Sequence, residues 1–154
     1  MEGNQGDRNN LDPWHGGNDL VTAVAAMNKR TIVVVHSVGP ILLETILAQP
    51  NVVAVVWAGL PGQESGNALV DILYGSTSPS GKLPYTIAKQ ASDYPCTWVA
   101  GDDNFSEGLF IDYRHFDQNN ISPRYEFGFG LCQYFFPWTL VAIILITVCS
   151  LHNV

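Results

Sequence analysis

The sequence predicts an α/β fold in which a mostly parallel sheet is flanked by helices. Two runs rich in β-branched residues, 31–38 and 52–58, have the length and composition of strands, and the second is apolar enough to be buried on both faces. Each run is followed by a turn containing glycine and proline, and then by an apolar segment with helical spacing. Because strands that alternate with helices form parallel sheets with right-handed crossovers, we expect these two strands to lie side by side.

A first helix is predicted ahead of the first strand. Asn18 or Asp19 can cap it, because short polar side chains accept hydrogen bonds from the free N–H groups of a first turn. Residues 1–17, which contain Asp-Pro and Gly-Gly pairs, are predicted to be loop. The apolar residues of the helix share one face: Leu20, Val21, Val24 and Ala25.

A second helix is predicted between the two strands. Pro40 suits the first position of a helix, because its fixed φ is helical and its missing N–H would be unpaired there anyway. The helix is expected to extend through Ala48, and Pro50 stops it before the second strand.

The glycine-rich loop after the second strand is the main local signal. Its glycines stand at 59, 62 and 66, a spacing that matches neither the phosphate-binding P-loop nor the dinucleotide-binding pattern. We therefore interpret Gly59 and Gly62 as a sharp strand-to-helix turn in which at least one has a positive φ. The next helix is expected to start near Gln63, with Glu64 in its first turn. Its apolar residues predict a buried stripe: Leu69, Val70, Ile72 and Leu73.

Strand signals weaken after this helix. Residues 83–87 predict a short edge strand, since a proline within it cannot donate to an inner ladder. Residues 88–107 are predicted to be loop, and residues 109–114 to be strand again. Alternation along that strand would place Asp112 and Arg114 on one face, where a structural role is favoured over a catalytic one.

Charge and cysteine usage exclude several classes of function. A net charge of −7 and a pI near 4.7 disfavour binding to nucleic acid or to an anionic membrane surface. Three cysteines have neither Cys-x-x-Cys nor framework spacing, and the four histidines are scattered. We therefore expect no metal and no cofactor. The cysteines are Cys96, Cys132 and Cys149.

Six ordered stretches carry a resemblance to a known family. They are 2–8 (EGNQGDR), 58–66 (AGLPGQESG), 71–75 (DILYG), 79–86 (PSGKLPYT), 108–116 (GLFIDYRHF) and 125–131 (YEFGFGL). In order and spacing they resemble the C-terminal α/β-sandwich domain of glycoside hydrolase family 3, in its fungal β-glucosidase branch. The resemblance assigns residues 1–131 to a partial domain of that kind and leaves 132–154 as an apolar tail outside the family pattern.

The resemblance implies a parent enzyme that hydrolyses terminal β-D-glucosyl residues. Cellobiose and other β-glucosides would be the substrates, in cellulose degradation, with retention of configuration and without a metal. A retaining glycosidase needs two carboxyl groups. In the family the nucleophile is an aspartate of the preceding barrel domain, and the acid/base is a glutamate just upstream of the position of Glu2. We therefore expect no catalytic residue in this chain, and substrate to bind through the missing barrel.

Two acidic motifs need separate interpretation. Ser92-Asp93-Tyr94 looks like the nucleophile motif of the family but falls in a loop after the sheet, so we do not assign it that role. Asp7 and Arg8 form the family motif nearest to the absent acid/base. They either support the active-site loop or form a surface pair of small energetic value, under about 1 kcal/mol.

The apolar tail begins at Tyr134 and ends at Leu151, which is just long enough for a bilayer span. No Lys or Arg flanks this run, so membrane insertion is disfavoured, and a translated intron is the alternative that we favour. We expect few contacts between the tail and the domain. The amino terminus has no apolar segment typical of a signal peptide. An extracellular location is therefore implied only for the parent enzyme.

Two further readings stay open from the sequence alone. Asn104 and Asn120 begin glycosylation sequons in loop-like context, which matter only in a secreted protein. The alternative to a hydrolase fragment is a non-catalytic module that binds carbohydrate or a partner protein. In this alternative the apolar tail could anchor the module to a membrane. Its candidate aromatic platforms are Trp14, Trp57 and Trp98.

Overall fold

The computed structural model describes Arg8, residues 10–95, residues 105–130 and the backbone of residues 142–145. Short 3-10 turns lie at Trp14–Gly16 and Ala91–Asp93. The helices are α1 (Gly17–Met27), α2 (Glu44–Leu47), α3 (Ser65–Leu73) and α4 (Tyr113–Gln118). The strands are β1 (Thr31–Val35), β2 (Val52–Trp57) and β3 (Ala142–Leu145).

The three strands form one parallel sheet in the order β1-β2-β3. Val33 pairs with Val55, and the ladder continues to the ends of both strands. Val55 and Val56 point to opposite faces of the sheet, and both are 0% exposed. The α/β class with a parallel sheet is therefore confirmed, and so is burial of the second strand on both faces at its centre.

The main core lies where β1 and β2 meet α1, α2 and the 83–87 segment. Val55 and Ile46 are buried in this cluster, and the half-buried Tyr125 and Phe129 pack against the cluster. Burying a side chain of this size stabilises the fold by about 1.5–3 kcal/mol. The buried residues of this cluster are Ala25, Val35, Ile41, Leu43, Ile46, Val52, Val55, Trp57, Leu83 and Ile87.

The tail contributes a strand, so the expectation of few contacts between the tail and the domain is wrong. The backbone of β3 pairs with β2, from Ala54 with Ala142 to Trp57 with Leu145. A β-branched apolar run suits the open edge that β2 would otherwise present. The rest of the run, 134–141 and 146–151, lies outside the described residues. Among the helices that the structure describes, none has the length and apolar character needed to cross a bilayer.

The predicted helix caps and apolar stripes are partly wrong. Helix α1 begins at Gly17 with the left-handed Gly16 at its cap, so neither Asn18 nor Asp19 caps it. Of the predicted stripe of α1, only Ala25 is buried. Helix α3 begins at Ser65, two residues later than expected, and has no buried residue; Val70 is 52% exposed. A stripe is buried only where another layer covers it, and the described elements leave these faces open.

The second helix is shorter than predicted. Pro40 does not begin it, because residues 40–43 are irregular and α2 covers only Glu44–Leu47. Leu42 N donates to Leu11 O at 2.8 Å, which ties this segment to the N-terminal loop instead of to a helical turn. Ile41 and Leu43 are nevertheless buried, so the segment still contributes to the core.

The later strand predictions are also corrected. The 83–87 segment forms only an isolated antiparallel bridge between Ile87 and Tyr125, because proline interrupts its ladder. Residues 113–118 form α4 instead of a strand, with Phe116 buried at 2% exposure. Asp112 precedes α4 with φ 46 and ψ −128, a turn conformation that ends any extended run. The expected alternation of Asp112 and Arg114 on one strand face therefore does not apply.

Both turn glycines adopt the predicted left-handed backbone, with φ of 62 at Gly59 and 73 at Gly62. We expect Gly62→Ala to lower the free energy of unfolding by about 1–2 kcal/mol, because an L-residue is strained at this φ. Among the described residues no atom lies within 4 Å of the added methyl group, so the cost is in the backbone. Urea unfolding of the 154-residue chain measures it.

Gly66 supplies the matched control, since it lies in α3 with ordinary φ and open space around its Cα. Gly66→Ala should be neutral or stabilise by up to about 1 kcal/mol through helix propensity. Equal effects of the two substitutions would contradict the assignment of the turn.

Candidate functional site

The candidate site lies at the carboxyl edge of β1 and β2. Ligands of open parallel sheets bind at this edge, where the loops leave the strands. The chain supplies residues 36–39 after β1 and the glycine loop after β2, and Arg8 reaches the same edge. These segments determine what the edge can bind.

Arg8 is anchored on the turn after β1. Its Nη2 donates to Pro40 O at 3.1 Å. A methyl group at Gly39 would lie 3.3 Å from that nitrogen, so glycine leaves the guanidinium the room it needs. Nη1 is buried and has no acceptor among the described residues. One edge of the guanidinium is therefore fixed, and the other has no hydrogen-bond acceptor among the described residues. Asp7, its predicted companion, lies outside the described residues.

Ser37 fixes the same turn and is not placed as a nucleophile. Its Oγ donates to Gly39 O at 2.7 Å and accepts from Gly39 N at 3.4 Å. Ser37 is 8% exposed, and His36 beside it is exposed. A nucleophilic serine needs a base within hydrogen-bond reach, whereas this hydroxyl is occupied by its own turn. Ser37 therefore stabilises the turn after β1 and is not positioned to act as a nucleophile.

Trp57 and Tyr85 form a buried polar contact at the end of β2. Trp57 Nε1 donates to Tyr85 Oη at 2.9 Å, and the two rings meet edge to face with centroids 6.1 Å apart. Desolvation raises the pKa of Tyr85, while the Trp57 hydrogen bond and the charge of Arg8 act in the opposite direction. Trp57 is 4% exposed and belongs to the core. Trp14 is 41% exposed, and Trp98 lies outside the described residues.

The acidic residues singled out from the sequence have local roles. Asp93 accepts from Gln90 Nε2 at 2.9 Å and from Gln90 N at 3.4 Å, in a capping box of a short 3-10 turn. Glu64 stands at the N-cap of α3 instead of in its first turn, because the helix begins at Ser65, and it accepts from Asn67 Nδ2 at 2.7 Å. Within the described ranges no group of three His, Cys, Asp or Glu side chains is arranged to hold a metal ion. Neither carboxylate is held as the acid or base of a buried site.

The interpretation of the sequence missed a buried network around Asp112. Thr86 is 1% exposed and donates twice to this carboxylate, from N to Oδ1 at 3.0 Å and from Oγ1 to Oδ2 at 2.9 Å. Tyr94 Oη donates to Thr86 O and accepts from Ala88 N, both at 3.0 Å. Burial raises the pKa of Tyr94, and the Asp112 charge raises it further, against the Ala88 hydrogen bond. No sequence pattern indicates a positive φ at an aspartate, so only the structure reveals this clamp.

An ion pair connects α2 with the segment that follows α4. Arg124 Nε donates to Glu44 Oε1 at 2.6 Å and Nη2 donates to Oε2 at 2.5 Å, across 80 residues of sequence. The hydrogen bonds to Glu44 raise the pKa of Arg124. Both side chains are about one third or more exposed, so the pair is worth about 1 kcal/mol at most. The two parallel hydrogen bonds position the 124 segment relative to α2, and they add little to the free energy of unfolding.

Of the two predicted glycosylation sites, the structure describes only Asn120. Asn104 lies outside the described residues. Asn120 is exposed in the turn after α4, at φ 52. Its side chain therefore stands on an accessible turn, which a glycan requires.

Comparison with known proteins places this geometry in a family. A family model described as the glycosyl hydrolase family 3 C-terminal domain matches residues 1–132. "Probable beta-glucosidase L" of Aspergillus terreus is 75% identical over 145 residues, which are 93% of this chain and 20% of that protein. "Beta-glucosidase cel3A" of Pyricularia oryzae is 66% identical over 143 residues, again 93% and 20%.

A solved structure has the same fold. The crystal structure of β-D-glucoside glucohydrolase from Trichoderma reesei superposes with a TM-score of 0.81 at 72% identity, covering 84% of this chain and 18% of that one. The chain thus spans about one fifth of the length of the curated relatives it matches.

The Asp112 clamp yields a stability prediction. Asp112→Ala should lower the free energy of unfolding by about 2–4 kcal/mol, because Thr86 N–H and O–H lose their charged acceptor inside the protein. Asp112→Gly removes the same acceptor but relieves the backbone at φ 46, so it should cost about 1–2 kcal/mol less than alanine. Urea unfolding compares the two variants. Equal losses would contradict strain at this position.

Proposed function

Because the chain belongs to glycosyl hydrolase family 3 through that family's C-terminal domain, we propose that it serves as the α/β domain of a β-glucosidase acting on terminal β-D-glucosyl residues. The observation that carries the proposal is the 75% identity to a protein named as a probable β-glucosidase, over nearly the whole chain. Cellobiose and related β-glucosides are the proposed substrates, and cellulose degradation is the proposed role.

We place the reacting carboxylates outside this chain. Retaining hydrolysis needs a nucleophile and an acid/base on opposite sides of the glycosidic bond. The local hydrogen bonds of Glu64 and Asp93 support this placement, because each carboxylate already serves a turn or a helix end. The proposed partner is therefore a barrel domain that supplies substrate binding and both carboxylates. The family domain is proposed to cover residues 1–131, and the tail 132–154, which supplies β3 to the sheet, is proposed to lie outside the family pattern.

Arg8 is the proposed positioning residue, together with Asp7. The anchored Nη2 fixes the guanidinium on Pro40 O. Nη1 has no acceptor among the described residues, and we propose that in the whole enzyme it donates to the loop that carries the acid/base. A hydrogen bond from a charged donor is worth about 1.5–3 kcal/mol where it is shielded from water. Arg8 would thus hold that loop against the carboxyl edge of the sheet without touching substrate.

An extracellular location is proposed for the whole enzyme, with Asn104 and Asn120 as glycan acceptors. The exposed turn at Asn120 supports this for one of the two sites. The similarity to β-glucosidases favours a hydrolase over a non-catalytic binding module. Burial of Trp57 also removes one of the aromatic platforms such a module would need.

The 154-residue chain alone is expected to hydrolyse an aryl β-glucoside no faster than background, because loss of acid–base assistance alone costs about 10²–10⁴-fold. Replacing the aligned segment of the Aspergillus terreus relative with this chain should give an active chimera. Robust turnover by the isolated chain, abolished by Glu64→Gln, would overturn the placement of the carboxylates.

Arg8 can be tested within that chimera. Arg8→Gln should lower kcat by about tenfold, equivalent to about 1.4 kcal/mol, with a smaller change in KM, because the acid/base loop is misplaced. Arg30→Gln is the matched control, since Arg30 is exposed in the turn before β1. If both variants keep full kcat, Arg8 has no positioning role.

A further inference from the structure

Arg8 carries a positive charge that no described carboxylate balances. Its Nη2 donates to the neutral carbonyl oxygen of Pro40 at 3.1 Å, and its buried Nη1 has no acceptor among the described residues. In the same part of the chain the ion pair is the one between Arg124 and Glu44. A charged donor that is shielded from water destabilises the protein unless an acceptor satisfies it, so the geometry calls for an anionic acceptor at Nη1.

Tyr85 presents a second donor at the same edge of the sheet. Trp57 pairs with Val35 at the carboxyl ends of β2 and β1, and its Nε1 donates to Tyr85 Oη at 2.9 Å. This hydrogen bond uses the oxygen of the hydroxyl group as an acceptor, and no described residue accepts the hydroxyl proton. Desolvation raises the pKa of Tyr85, so the proton stays on the hydroxyl group at neutral pH and can be donated.

The two donors are held from neighbouring strands. Arg8 is attached to the turn that follows β1, and Gly39 in that turn leaves room for the guanidinium, since a methyl group there would lie 3.3 Å from Nη2. Tyr85 is held at the end of β2 through Trp57. The positive charge of Arg8 opposes the rise that desolvation causes in the pKa of Tyr85, so the two groups interact. One ligand at this edge can therefore accept from both.

We propose that Arg8 Nη1 and Tyr85 Oη form a binding site for a carboxylate, and this rests on the proposed function because it names the chemistry of the group that Arg8 holds. Hydrogen bonds from a guanidinium or a hydroxyl group to a carboxylate are short and strong, and the two oxygens of one carboxylate can serve both donors. A carboxylate also matches the single charge of Arg8, whereas a phosphate group brings close to two negative charges. The carboxylate belongs either to a small acid in solution or to a side chain.

Acetate is the probe for the site in the 154-residue chain. The chain is labelled with ¹⁵N, and sodium acetate replaces sodium chloride at constant ionic strength and pH 7. The amides of Gly39 and Ile41 lie on either side of Pro40, whose carbonyl anchors Arg8, so their NMR signals report on the site. Both signals should move saturably with acetate, with half-saturation at roughly 10 mM, as expected for a ligand of this size.

Two substitutions test the two donors. Arg8→Gln removes the charge, and Tyr85→Phe removes the hydroxyl group and keeps the ring. Each should raise the acetate concentration at half-saturation by about tenfold or more, because one hydrogen bond to the carboxylate is lost. Arg30→Gln and Tyr74→Phe, at exposed positions, are the matched controls and should keep the response of the unsubstituted chain. Circular dichroism confirms that each variant is folded, and the titration of the unsubstituted chain needs no variant.

The source of the carboxylate is distinguished by a further variant that carries both Glu2→Gln and Asp7→Asn. Saturation of the unsubstituted chain by acetate identifies a site for a free acid. If a carboxylate of the chain itself fills the site, acetate moves the two signals only in the double variant. Either result supports the carboxylate site.

Three results would overturn the site. They are the absence of a response in both chains, a response that survives Arg8→Gln, and half-saturation by inorganic phosphate at a lower concentration than by acetate. Hydrolysis of an aryl β-glucoside by the chimera is scored separately. An active chimera without an acetate response in either chain rejects only the carboxylate site, and an inactive chimera with such a response rejects only the proposed function.

Discussion

The described fold depends on one strand, β2, that is paired along both edges and buried on both faces at its centre. Strand β2 pairs with β1 along one edge and with β3 along the other, and Val55 and Val56 at its centre are fully buried on opposite faces. A strand in this position can carry only apolar side chains and must satisfy all of its backbone groups within the sheet. The register of β1 and β3 against β2 is therefore closely constrained. The loop that follows β2 consequently starts from a fixed position at the carboxyl edge of the sheet.

The site follows from the residues that leave this strand. Trp57 ends β2 and donates to Tyr85, and the adjacent Thr86 donates twice to Asp112. These three hydrogen bonds connect the sheet to the surface loop before α4. Thr86 is 1% exposed, whereas the Glu44–Arg124 pair is about one third or more exposed. Hydrogen bonds between a buried donor and a charged group are worth about 1.5–3 kcal/mol and exposed ion pairs about 1 kcal/mol or less, so the Asp112 clamp is the stronger link.

The sequence was sufficient to predict the parallel strands and the glycine turn, because valine-rich runs and positive-φ glycines depend on local chemistry. It did not predict the positions that depend on tertiary contacts. Pro40 has the chemistry of a helix start, yet the hydrogen bond from Leu42 to Leu11 keeps its segment irregular. Val70 has the spacing of a buried stripe but stays exposed, since burial requires a covering layer that spacing cannot specify. At the site, the family motif indicated Arg8, whereas Asp112 was assigned to a strand because nothing local marks a clamp 26 residues away from its donor.

Native-state hydrogen exchange of the 154-residue chain tests most directly whether β2 organises the fold. The amides of Val55 and Val56 should be among the slowest to exchange, with opening free energies close to that of global unfolding, because they open only when the whole sheet does. The amides of α3, whose face is open, should exchange much faster through local opening. Exchange at Val55 and Val56 as fast as in α3 would contradict the account, because the enclosed strand would then not be what the domain is built around.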